Sequence, residues 1–101
     1  MKVSFVQMQI EILDIKKNVE NAIKLMRKSN ADLIVLPELF NTGYNFKSNK
    51  EVLEVSEEIP DGYTTSKLKE FSKEKNVTIV FGLAEKTEKG LYNSLAIVSK
   101  G

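Results

Sequence analysis

At 101 residues the chain is at most one small domain, and 42% hydrophobic with 29% charged residues is the balance of a soluble globular chain, not a disordered one. A formal net charge of +1 gives no reason to expect nucleic acid, an anionic membrane or an acidic substrate as partner. The lack of cysteine excludes disulfides, thiolate metal sites and a thiol nucleophile within these residues, and the lack of histidine argues against zinc and against a histidine-based triad.

Residues 2–9, KVSFVQMQ, read as a first strand. Alternation puts Val3, Phe5 and Gln7 on one face and Ser4, Val6 and Met8 on the other. Both faces are partly apolar, which predicts cover on both sides. Gln7, Gln9 and Glu11 break up the apolar character, so the start does not read as a signal peptide, and no apolar run approaches the roughly 20 residues that span a bilayer. A cytoplasmic protein is the default expectation.

Residues 14–29 read as a helix, with Asp14 as N-cap and Ile15, Val19, Ala22, Ile23 and Met26 forming one apolar stripe. Ser29-Asn30 supplies its stop. The run Leu33-Ile34-Val35-Leu36 then reads as a strand buried on both faces. Pro37 removes a backbone donor and ends it. Strand, helix and strand within forty residues make a right-handed βαβ unit with parallel pairing. That unit delivers Glu38 to the C-terminal edge of the sheet, where open α/β sheets bind ligands. Gln7 and Gln9 approach the same edge and are grouped with Glu38. Position alone also fits a solvated carboxylate in an ordinary turn.

In the loop Asn41-Thr42-Gly43-Tyr44, Gly43 provides a turn that a side chain would hinder. Tyr44 and Phe46 either pack under the loop or wall a pocket, and Tyr44 is the candidate substrate-binding residue. Residues 49–56 form a candidate short helix, and Ile59-Pro60-Asp61-Gly62 is a turn signal. Residues 64–76 read as a second long helix, capped by Thr64 or Thr65, buried through Leu68 and Phe71, and closed by Asn76. Residues 77–84 form a third strand with a bulky face, Val77, Ile79, Phe81 and Leu83, and a small one, Thr78, Val80, Gly82 and Ala84. A turn at 87–90 returns the chain in a hairpin strand, LYNSLAIVSK, whose Tyr92, Ser94, Ala96 and Val98 face is grouped with the small one. Ser94 lacks any histidine to activate it. Asn93 either orients a neighbouring polar group or bonds along the sheet edge. No phosphate-binding glycine pattern is present.

The segment ADLIVLPELFNTGY (residues 31–44) resembles the N-terminal part of the carbon–nitrogen hydrolase (nitrilase) superfamily. The opening strand, the helix with Asn18, the IPDG turn, the VFGLAEK strand and the YNS strand support the likeness over residues 1–101. The resemblance implies half of a four-layer α-β-β-α sandwich, here a mixed four-stranded sheet with helices on one face. It implies hydrolysis of a small amide or nitrile by a Glu–Lys–Cys triad, with Glu38 matching the glutamate as general base at a poorly solvated strand end, and with no metal or organic cofactor. The chain has no cysteine, and no lysine matches the family's catalytic one, so the segment alone is expected to be inactive. An uncovered sheet face predicts association with a second copy or with a complementing chain. A non-catalytic assembly or binding module is the alternative.

Overall fold

A computed structural model describes residues 1–43, 54–59 and 61–99. Its strands are β1 (Val3–Phe5), β2 (Leu33–Val35), β3 (Thr78–Thr87) and β4 (Gly90–Val98), and its long helices are α1 (Ile15–Met26) and α2 (Tyr63–Lys75). The strands form one four-stranded mixed sheet in the order β1-β2-β3-β4, with β1, β2 and β3 parallel and β4 antiparallel to β3. The α/β class and the mixed sheet are those expected from the sequence.

The apolar stripe of α1 builds the core. Val19, Ala22 and Met26 are buried against Leu68 and Phe71 of α2 and against Ile34, Ile79, Phe81 and Val98 of the sheet. Both helices therefore cover the same sheet face. Asp14 caps α1 as expected, accepting a bond from the Lys17 amide at 3.2 Å. Asn76 closes α2 in the left-handed conformation, φ 59°. Arg27, the C-cap of α1, reaches Glu74 of α2 at 2.7 Å and lies over the Phe71 ring at 5.1 Å. The hydrogen bond from Arg27 is the main cause holding the exposed Glu74 carboxyl below its usual range.

Three expectations are corrected. Neither Thr64 nor Thr65 caps α2: Gly62 is its N-cap, without a side-chain bond, and Thr64 lies two residues inside the helix. The small face of β4 does not join the small face of β3. Pairing sets Phe81 opposite Ala96 and Gly82 opposite Leu95, so small faces large across each pair. Ala96 and Val98 thus lie under the helices while Leu95 and Ile97 project from the other side. That other side is not covered among the described residues, contrary to the cover predicted for both faces of β1: Phe5 and Leu95 are each 73% exposed. The candidate helix at 49–56 falls mainly outside the described residues; Glu54 and Val55 are helical.

A buried polar residue ties the first helix to the loop after β2. Asn18 accepts from the Glu11 amide at 2.8 Å and donates to the carbonyls of Glu11 and Asn41 at 2.7 and 2.8 Å. Removing it leaves three backbone groups without these bonds. Asn18→Ala is expected to cost about 2–3 kcal/mol, read by urea unfolding.

Candidate active site

The edge at which β2 ends is shaped by two residues that lack something. Pro37 lacks an N–H, so the ladder stops after the Leu36 amide bonds the Val80 carbonyl at 2.9 Å. The chain then turns over β3 in a tight loop. Leu39 adopts φ +50°, a left-handed conformation costly for a side-chain-bearing residue, and is itself buried. The amides of Thr42 and Gly43 both bond back to its carbonyl, at 3.3 and 2.9 Å. Phe40 is fully buried and meets Phe81 edge to face, ring centroids 6.2 Å apart.

The turn presents Glu38 over β3 at Gly82, the second of the two. A methyl group on Gly82 would lie 3.4 Å from the Glu38 Cγ and 3.5 Å from its Cα. The glutamate therefore lies flat across the strand and reaches β4, where the Asn93 side-chain amide donates to Glu38 Oε1. This decides the role of Asn93 left open by the sequence: it holds a carboxylate. Leu36, Glu38, Gly82, Asn93, Ser94 and Leu95 line a groove of about 340 Å³ on the uncovered face of the sheet. Ser94 donates to Glu85 at 2.6 Å, which leaves its hydroxyl tied to a carboxylate.

The remaining candidates do not assemble here. Gln9 lines a separate depression with Glu11 and Lys17, and Gln7 is exposed and outside the groove, because β1 ends at Phe5 and the chain leaves the sheet before either reaches Glu38. Tyr44 and Phe46 lie outside the described residues. Glu38 is exposed and not poorly solvated, since nothing among the described residues covers the groove. Among the described residues no group of three or more His, Cys, Asp or Glu could hold a metal, and no helix is long and apolar enough to cross a membrane.

Sequence reasoning missed one functional-looking carboxylate, Glu57. It forms a parallel bridge to Glu85, continuing along β3 in the space that β2 vacates. Its side chain is buried among Asn41 and Thr64.

The carbon–nitrogen hydrolase family model matches residues 2–101. The chain belongs to the carbon–nitrogen hydrolase family. It is 47% identical over 100 residues to a nitrilase from Pyrococcus abyssi, matching 96% of this chain and 38% of that protein. It is 35% identical over 94 residues to an omega-amidase from Bos taurus, covering 88% of this chain and 33% of the relative. A superfamily protein from Xanthomonas campestris, whose crystal structure carries an arsenic adduct in the active site, superposes with a TM-score of 0.86 at 25% identity over 98% of this chain and 36% of its own. The chain thus spans 33–38% of the length of these relatives.

The groove gives this family member a direct test of geometry. Gly82→Val keeps a residue suited to a strand but places two methyl groups where Glu38 lies. Folding is expected to survive, and the Asn93 side-chain amide signal in an NMR spectrum is expected to move to its unbonded position. An unchanged signal would mean that Glu38 does not rest on Gly82.

Proposed function

We propose that this chain contributes the general base of a carbon–nitrogen hydrolase acting on a small amide or nitrile, and that the base is Glu38. The observation that carries this is the carboxylate laid across Gly82 and held by Asn93 at the C-terminal edge of a parallel sheet. Asn93 engages Oε1, and among the described residues nothing bonds Oε2, which fits that oxygen for proton transfer. In the reaction a cysteine thiol gives its proton to Glu38 as the sulfur attacks the amide carbon. A lysine stabilises the oxyanion, and the tetrahedral intermediate collapses to a thioester as the leaving amine takes the proton from Glu38. Water, deprotonated by Glu38, then releases the acid and restores the thiol. The 101 residues hold no cysteine, so the nucleophile comes from sequence beyond them, in the same polypeptide or in a partner. The lysine is proposed to come from there too, since among the described residues no lysine lines the groove around Glu38.

A general base is worth about two to four orders of magnitude in rate and does not replace a nucleophile. The isolated 101-residue chain is therefore expected to release no ammonia above background from small amides. Adding a polypeptide that carries the later family strands with their lysine and cysteine is expected to restore release. Turnover by the isolated chain, unaffected by Glu38→Gln, would overturn the reading.

A second reading has one observation behind it. The uncovered sheet face presents Val3, Phe5, Leu95 and Ile97, all at least half exposed. Such a face supports an assembly module that pairs with a second copy or a complementing chain. A monomer at micromolar concentration, with no partner bound in the complementation experiment, would contradict that reading.

A further inference from the structure

We propose that Glu57 is a positioning residue: its buried carboxylate clamps the turn that carries Glu38 to the N-terminus of α2. The inference rests on the reading of Glu38 as the base and adds to it a residue outside the groove.

Among the described residues, three donors converge on Glu57. The Thr64 amide donates to Oε1 at 2.6 Å, the Thr64 hydroxyl to Oε2 at 2.5 Å, and the Asn41 side-chain amide to Oε2 at 3.1 Å. Asn41 also donates to the Thr64 hydroxyl oxygen at 3.0 Å. All three residues are buried. The Thr64 amide is one of the unpaired donors at the start of α2, and Gly62 has no side chain with which to bond it. Glu57 fills that role from outside the helix. Its backbone is fixed at the same time, with its amide on the Ala84 carbonyl and its carbonyl on the Lys86 amide, at 2.9 and 2.8 Å.

Space has been left for this carboxylate. A methyl group on Gly62 would stand 2.7 Å from Glu57 Oε1, 2.8 Å from its Cβ and 2.8 Å from the Glu58 carbonyl oxygen. That close approach explains the glycine of the IPDG turn. The other end of the clamp is Asn41, three residues after Glu38 and two after the left-handed Leu39. A turn strained at Leu39 persists only while its surroundings determine it. Asn18 holds the Asn41 carbonyl, Phe81 holds Phe40, and Glu57 holds the Asn41 side chain. Of these, Glu57 is the one that ties the turn to α2, alongside the direct bond from Asn41 to Thr64. A carboxylate suits the place because it accepts on both oxygens, whereas a glutamine turns one donor toward the Asn41 and Thr64 donors.

The test is NMR and amide hydrogen exchange on the 101-residue chain. In Glu57→Gln the Thr42 and Gly43 amides are expected to exchange about tenfold faster, as befits one lost buried hydrogen bond, while Ile79 and Phe81 in β3 keep their protection. The Asn93 side-chain amide signal is expected to move, because Glu38 shifts. Gly62→Ala is expected to produce the same changes by crowding Glu57. A uniform loss of protection across the chain, or an Asn93 signal unmoved in both variants, would overturn the proposal. If neither variant folds, the unsubstituted chain decides. Gly43 and Thr64 amides opening together in mild denaturant support the clamp, and independent opening overturns it. These signals report where Glu38 lies whether or not it is a base. Failure of the base reading would appear elsewhere, as undiminished turnover in Glu38→Gln.

Discussion

In a polypeptide that joins these residues to the family's lysine and cysteine, Glu38→Gln is expected to lower kcat/KM for a small amide by about 10²–10⁴. A hybrid in which this chain replaces the matching 38% of the Pyrococcus abyssi nitrilase provides such a polypeptide. Glutamine keeps the size of the side chain and an oxygen that can accept from Asn93, so the groove is preserved and only proton transfer is lost. The loss is expected in kcat more than in KM, because the proton moves during attack and hydrolysis rather than during binding. Circular dichroism and thermal unfolding of the variant check that the fold is unchanged.

Phe81→Ala carries the largest expected cost in stability. Phe81 is fully buried, packs edge to face on Phe40 beneath the Glu38 turn, and stands at the centre of the core shared by α1, α2 and β3. Truncating a buried phenylalanine costs about 3–5 kcal/mol. Small domains retain only about 5–15 kcal/mol in total, so the variant is expected to lose a large share of its stability and to unfold at a much lower urea concentration than the parent. Urea unfolding followed by circular dichroism measures it, and a loss below 1 kcal/mol would mean that Phe81 is not a core residue. Ala96 opposite Phe81 offers no volume to fill the gap.

Much of this architecture is legible in local patterns. The 33–36 apolar run, the stripe of α1, the hairpin turn at 87–90 and the Asn76 stop each depend on residues close in sequence. Glu38 is legible for the same reason, since Pro37 marks the strand end beside it. What the sequence does not expose is pairing between distant residues. The faces of β4 follow from Phe81 meeting Ala96 and Gly82 meeting Leu95, a register that no single strand encodes. Gln7 and Gln9 alternate correctly, but the sheet ends at Phe5 before they reach the edge. Glu57 looks like one of many surface charges, because its partners lie 7 and 16 residues away. The available signal is a helix that opens on glycine, with acids a few residues upstream, Glu57 among them.

The most direct test of the central claim is the intact mass of the hybrid protein mixed briefly with a small amide, with Glu38 and with Gln in its place. If Glu38 takes the thiol proton, the acyl adduct on the cysteine accumulates in the parent hybrid and forms at least a hundredfold more slowly in the Glu38→Gln hybrid. Adduct formation at the same rate in both would show that the proton leaves the thiol by another route and that Glu38 is not the base.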